Sequence, residues 1–227
     1  DYENHKDEYV KLFEILKEYE INTFFYIGGN DSMDTVHKLS NYAKEHNINI
    51  KFIGVPKTID NDLPIMDHTP GFGSAAKFIA TIALENSLDA NVYNAKNVFI
   101  IETMGRDTGW LAASACTATI NGKSIVDFIY LPEVPFNMEK FVKDVNGKLE
   151  EKNTVVIVVS EGIRTADGSF LGEMSSTGLD KFGHAQLGGV GMYLKNLIIQ
   201  SGITKRVKAL ELGVLQRCAM HCASSLD

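Results

Sequence analysis

The sequence predicts an α/β fold of mainly parallel sheets with helices on both faces. Three observations predict it. Short runs rich in β-branched and aromatic residues alternate with longer stretches whose apolar residues recur at helical spacing. Single helical stretches separate most successive runs, the pattern that right-handed βαβ crossovers produce. The runs stop at Gly28-Gly29, at Pro56 and near Gly105, where glycine and proline break regular structure.

In chain order, residues 6–18 place Tyr9, Val10, Phe13 and Leu16 on one helical face. Thr23 to Ile27 is a β-rich run followed by the tight turn at Gly28-Gly29. Helical spacing runs from Met33 to about Glu45, and Ile50 to Val55 is the next strand. Ser74 to about Leu88 is helical, and Val98 to Ile101 is a strand. Trp110 to Thr119 reads as helix, Ile125 to Leu131 as strand, Met138 to Glu150 as helix and Val155 to Val159 as a buried strand. A helix from Gly191 to Ile199 and a strand from about Arg206 to Leu212 complete the pattern. No repeat, low-complexity tract or Pro/Ser-rich linker interrupts it. A second lobe is expected to begin between Ile125 and Pro135, dividing the chain into 1–124 and 125–227.

The chain has 227 residues, 44% of them hydrophobic, enough to bury a core. With 22 basic and 29 acidic side chains its net charge is −7, which argues against a general nucleic-acid or anionic-membrane binder. The longest unbroken apolar run, Val155 to Val159, is far short of the roughly 20 residues of a membrane helix. No basic-then-apolar leader opens the chain. Three cysteines do not make a disulfide framework and fit a reducing, cytoplasmic setting.

In such sheets ligands sit outside the carboxyl ends of the strands, so the residues after each strand carry the functional reading. Gly28-Gly29-Asn30-Asp31-Ser32 offers a close backbone approach to an anion, with Ser32 able to cap the next helix; taken alone, an ordinary glycine turn with a helix cap is the simpler account. Pro56-Lys57-Thr58-Ile59-Asp60-Asn61-Asp62 places two carboxylates beside a lysine. One could accept a hydroxyl proton, the other hold a metal ion, and Lys57 could offset phosphoryl charge; a solvated loop is the alternative. Arg106, in Glu102-Thr103-Met104-Gly105-Arg106, can bind phosphate in fork geometry, while Met104 reads as packing. Ser160-Glu161-Gly162 adds a carboxylate suited to sugar hydroxyls, and Gln216-Arg217 adds a cation. Cys218, His221 and Cys222 read as packing rather than a zinc site, Trp110 as core and His184 as structural. Gly71-Phe72-Gly73 could touch a phosphate, although a helix start needs no ligand.

Taken together these segments resemble the phosphofructokinase family in order and spacing, over nearly the whole chain. Thr58-Ile59-Asp60-Asn61-Asp62 is the most specific element, and Leu215-Gln216-Arg217 continues the match. The resemblance implies a Rossmann-like three-layer phosphofructokinase fold, in which 1–124 binds the phosphoryl donor and 125–227 the sugar phosphate. It implies magnesium-dependent phosphoryl transfer to the 1-hydroxyl of fructose 6-phosphate, a step of glycolysis, in a cytoplasmic homo-oligomer. By the same resemblance Asp60 is the base, with Lys57, Asp31 and Arg106 also catalytic. Thr58, Ile59, Met104, Gly105, Arg106, Glu161 and Arg217 contact the sugar phosphate. Gly29, Asp31, Ser32 and Lys57 line the donor phosphates, and Asn30 and Asp62 fall at metal positions.

The donor follows from two of these residues. ATP-using members of the family have glycine where this chain has Asp31 and again where it has Lys57, whereas pyrophosphate-using members have Asp and Lys. A carboxylate at Asp31 repels the α-phosphate of ATP, and Lys57 can stabilise a departing phosphate. The resemblance therefore implies pyrophosphate as donor and a reversible reaction. The alternatives are an ATP-dependent enzyme and a non-catalytic regulatory subunit of the same fold; nicotinamide-dinucleotide and lipid kinases share a similar glycine turn but lack the other segments. Three positions depart from the family: Asn30 stands where Asp is usual, Lys208 where an arginine is usual, and Val214 where some members have histidine. The family's opening Gly-rich segment and its C-terminal portion are expected in the parent protein.

Overall fold

The structure is a computed structural model that describes residues 5–172, 189–225 and 227. Its residues divide between Thr58 and Ile59 into two units. In the first, α1 (Lys6–Glu18), β1 (Thr23–Gly28), α2 (Asn30–Glu45) and β2 (Lys51–Pro56) follow one another. β1 and β2 pair in parallel from Thr23↔Lys51 to Gly28↔Pro56, as a strand–helix–strand crossover requires. Phe13, Leu39, Tyr42 and Ala43 form the core here, joined by Phe52, with the Phe13 and Tyr42 rings 4.8 Å apart. Alternate residues Phe25, Ile27, Ile53 and Val55 make the opposite, exposed face of the pair.

In the second unit the chain runs through α3 (Phe72–Ala90), β3 (Asn97–Thr103), the short α4 (Trp110–Ser114), β4 (Thr119–Ile120), β5 (Lys123–Ser124) and β6 (Phe128–Tyr130). It continues through α5 (Met138–Glu151), β7 (Thr154–Ser160), α6 (Val190–Gln200) and β8 (Val207–Glu211). Four strands make a parallel sheet in the order β6-β7-β3-β8. Helices cover both faces. Phe99 and Ile101 of β3 pack with Phe78 and Ile79 of α3 and Leu111 of α4. The alternate Val98 and Ile100 pack with Phe141 and Val145 of α5 and Leu194 and Ile198 of α6. Every residue of β3 and β7 is buried, which is why these strands read as continuous apolar runs. Each fully buried Ile, Leu or Phe contributes roughly 1.5–3 kcal/mol relative to exposure.

The structure corrects several expectations. α2 begins at Asn30 with Gly29 as its N-cap, so Ser32 lies inside the first turn and does not cap the helix. The helical reading of Trp110 to Thr119 is too long. α4 ends at Ser114, a 3₁₀ turn covers Ala115–Thr117, and the chain enters the β4–β5 hairpin. Its two connecting residues, Asn121 and Gly122, both have positive φ, 51° and 74°, the Asn-Gly signature of a type I′ turn. Trp110 is 54% exposed at the start of α4 rather than in the core. β6 is shorter than 125–131 because the Ile125 N–H donates to the Ala118 carbonyl and Asp127 pairs irregularly with Val156. The four-stranded sheet takes β3 from before residue 125 and β6, β7 and β8 from after it.

Candidate active site

In the first unit, register sets the site. Gly28 and Pro56 are partners at the carboxyl ends of β1 and β2, and the Lys57 N–H donates to the Gly28 carbonyl at 2.9 Å. This brings Gly29, Asn30, Asp31 and Ser32 to the same strand end as Lys57 and Thr58. A Cβ on Gly28 would lie 2.0 Å from the Ser32 hydroxyl, so Ser32 folds back over a position only glycine can fill. Asp31 is exposed in the first turn of α2, where its charge complements the helix dipole and opposes a second anion. Lys57 is exposed as well.

In the second unit, the loop after Ile59 is held by its own polar groups. Asn61 has φ 59°, a conformation asparagine tolerates better than most residues. Its side chain donates to the Asp67 carbonyl at 3.1 Å and accepts the Thr69 N–H at 2.9 Å. The Thr108 hydroxyl donates to the Asp60 carbonyl at 2.9 Å. Asp60 and Asp62, on either side of Asn61, are thereby fixed and half-buried. Ile59 packs on the α3–α4 side of the core.

The segments that follow β3 and β7 approach each other at very short range. A Cβ on Gly162 would fall 1.9 Å from the Arg106 carbonyl oxygen, and the Ser160 hydroxyl donates to the Gly105 carbonyl. Gly105 itself has φ 128°. Its N–H donates to the Glu161 carboxylate at 3.3 Å, while the Glu161 N–H donates to the Thr103 carbonyl at 2.9 Å. Burial pushes the Glu161 carboxyl up; the Gly105 N–H and the Arg106 charge oppose this, and the charges of Asp60 and Glu211 add to it. Asp60, Arg106 and Glu161 therefore share one electrostatic environment. Arg217 is exposed at the end of the 3₁₀ turn Gly213–Arg217.

The arrangement holds residues that strand-end reading passed over. Gln216 is 3% exposed; it accepts the Met104 N–H at 3.1 Å and donates to the Gly213 carbonyl at 3.0 Å, tying the segment of Arg217 to that of Arg106. Glu102 is equally buried, accepts the Gly191 N–H at the start of α6 at 2.7 Å and stands opposite Glu211 in the sheet. Its other oxygen has no hydrogen-bond partner among the described residues. Burial raises its pKa to about 7, against the Gly191 N–H and with help from Glu211 and Glu161. Only Asn61 carried a local signal, in a polar loop that must turn sharply.

The remaining sequence readings divide. Cys222 is buried in the core and His221 lies beside Phe78, but Cys218 is exposed, so packing accounts for only part of that trio. Lys208 pairs with Asp89 at 3.2 Å, and Val214 is exposed. The donors at the start of α3, after Gly71, go to the Asp227 carboxylate. His184 lies outside the described residues.

A family model described as phosphofructokinase matches residues 2–225. The chain belongs to the phosphofructokinase family. This phosphofructokinase-family chain is 42% identical to the pyrophosphate–fructose 6-phosphate 1-phosphotransferase of Halomonas elongata, over all of the chain and 54% of that protein. The enzyme of the same name from Methylococcus capsulatus is 40% identical over 99% of the chain and 53% of its own length. Among solved structures, a pyrophosphate-dependent phosphofructokinase from Marinobacter aquaeolei matches with a TM-score of 0.77 and 38% identity, over 96% of the chain and 51% of that protein. The chain thus spans about half the length of these relatives. Among its described residues no helix is long and apolar enough to cross a membrane.

Proposed function

We propose that the protein containing this chain transfers a phosphoryl group from pyrophosphate to the 1-hydroxyl of fructose 6-phosphate, reversibly, giving fructose 1,6-bisphosphate and orthophosphate. The observation that carries this reading is the placement of Asp31 and Lys57 at the same strand end of the first unit, set by the Gly28↔Pro56 register. Asp31 at the first turn of α2 disfavours an additional α-phosphate, and Lys57 neutralises the phosphate that leaves.

In this reading the new bond joins the sugar O1 to the transferred phosphorus, the bridging P–O bond of pyrophosphate breaks, and the hydroxyl proton passes to Asp60. Arg106 and Arg217 bind phosphoryl oxygens, Glu161 accepts sugar hydroxyls, and Thr58, Ile59, Met104 and Gly105 shape the sugar site. Gly29 and Ser32 line the donor phosphates. Donor binding belongs to 1–124, which also carries Thr58, Ile59, Asp60, Met104, Gly105 and Arg106 of the sugar site, while 125–227 adds Glu161 and Arg217. Asn30 and Asp62 offer the hard oxygen donors Mg²⁺ takes alongside substrate phosphates, and the ion would neutralise charge on those phosphates. By the resemblance Asn30 stands where a carboxylate is usual, so that position offers an oxygen without its charge. The reading extends to a cytoplasmic, homo-oligomeric enzyme of glycolysis.

The test is fructose 1,6-bisphosphate formation by the full-length protein with Mg²⁺, comparing pyrophosphate with ATP. Turnover with pyrophosphate alone is expected, and Asp31→Gly should admit ATP. Turnover with ATP alone would refute the donor assignment, and none with either would favour a regulatory subunit.

A further inference from the structure

The helix α3 begins without a cap of its own. Gly71 stands at its N-cap with φ 86° and no side chain to offer, leaving the first N–H groups to find partners elsewhere. They find Asp227. Its carboxylate accepts the Gly71 N–H at 3.2 Å, the Ser74 N–H at 2.7 Å and the Ser74 hydroxyl. Two further bonds bind the same stretches together: the Ser224 N–H donates to the Ser74 hydroxyl at 2.9 Å, and the Lys77 ammonium donates to the Ala223 carbonyl at 3.2 Å. A Cβ on Gly73 would meet the Ser224 hydroxyl at 3.3 Å and the Asp227 carboxylate at 3.4 Å, which shows how closely the two backbones approach.

What these contacts join matters for the site. On one side, Gly71 closes the loop that carries Asp60 and Asp62, and a Cβ there would be 3.0 Å from Ile59. On the other, the segment leading to Asp227 starts at Gln216-Arg217. It is anchored at its beginning by Gln216 on Met104 and midway by buried Cys222. Asp227 supplies the remaining anchor.

We propose that Asp227 is a positioning residue for the sugar-phosphate site, fastening the segment that follows Arg217 to the first turn of α3 so that Arg217 and the Asp60 loop keep one arrangement. The inference rests on the proposed binding of fructose 6-phosphate by Arg217. Burial pushes the Asp227 carboxyl up, but the bonds from Ser74, Gly73 and Gly71 outweigh it and hold the group below the usual carboxylate range. The staple is therefore charged at neutral pH.

The experiment uses the full-length protein and compares wild type with Asp227→Ala, Asp227→Asn and Ser74→Ala. Affinity for fructose 6-phosphate is read by calorimetry, both KM values by steady-state kinetics, and backbone amide exchange in residues 71–74 by mass spectrometry. Asp227→Ala should weaken fructose 6-phosphate binding about tenfold while the pyrophosphate KM stays within about twofold. Asp227→Asn keeps an acceptor and should recover part of the loss, and Ser74→Ala should shift the same constant less. Exchange in 71–74 should quicken in Asp227→Ala. Sugar-phosphate affinity within about twofold of wild type, or equal rises in both KM values, overturns the positioning role; unchanged exchange overturns the staple. A wild type that binds fructose 6-phosphate without using pyrophosphate refutes the donor reading, and the calorimetric comparison still decides the role of Asp227.

Discussion

Glu102 is a buried acid whose ionisation opposes folding, and replacing it by glutamine should flatten the pH dependence of stability. Its pKa rises to about 7 in the folded protein, with burial as the main cause, against about 4.3 for an unfolded glutamate. Between these values the unfolded chain has lost its proton and the folded protein keeps it. Stability then falls as pH rises, by about 1.4 kcal/mol per unit. From pH 5 to pH 8 the wild type should lose about 2.5–3 kcal/mol through this group, nearly all of it by pH 7. Glu102→Gln keeps an acceptor for the Gly191 N–H but buries an amide nitrogen where one carboxylate oxygen lacks a partner among the described residues. That cost, about 1–3 kcal/mol, does not depend on pH. The assay is urea unfolding of the full-length protein at pH 5, 6, 7 and 8, with the difference between wild type and variant plotted against pH. Glu161 titrates in both proteins, so the difference isolates Glu102 apart from their mutual coupling. The stability of the variant minus that of wild type should rise by about 2.5–3 kcal/mol from pH 5 to pH 8. Parallel curves would refute the reasoning.

Asp60→Ala should cut turnover by about 10²–10⁴-fold with fructose 6-phosphate affinity largely retained, as measured by initial rates and calorimetry; an unaltered rate removes Asp60 from the chemistry. Gln216→Leu strips the Met104 N–H and the Gly213 carbonyl of their partner. It should destabilise the fold by about 2–4 kcal/mol in urea unfolding and raise the fructose 6-phosphate KM. Gly162→Ala puts a methyl 1.9 Å from the Arg106 carbonyl, so the strand end must move; loss of sugar-phosphate affinity should exceed any change in the pyrophosphate KM. Lys57→Gly should lower the pyrophosphate-driven rate without affecting unfolding, since Lys57 is exposed.

Much of this protein is legible in its sequence because the signals are local. Residue periods of two and of 3.6 mark strands and helices wherever one face or both are buried, and β3, β7 and α5 lie within one or two residues of their expected ends. The segments after the strands, from Gly28 to Ser32 and from Lys57 to Asp62, are contiguous stretches whose chemistry can be read without their surroundings. The sequence carries little local signal where the deciding partner is distant or the periodicity is short. The β4–β5 hairpin is two residues per strand, too brief for an alternating pattern, although Asn121-Gly122 announces its turn. Composition places Trp110 in the core, yet it sits on a helix only Trp110–Ser114 long, whose other side packs inward.

The sequence by itself determined the α/β class, the order of elements, the strand-end motifs and the family they belong to. Only the tertiary structure decided which side chains hold those motifs in place. Gln216 meets Met104 across 112 positions and Asp227 meets Ser74 across 153, while Gly162 is glycine because the Arg106 carbonyl, in the segment after β3, occupies the space of its Cβ. The physical reason is that helix and strand periodicity arises from neighbours along the chain, whereas a buried hydrogen bond or a close backbone crossing depends on where the packed sheet brings two remote segments.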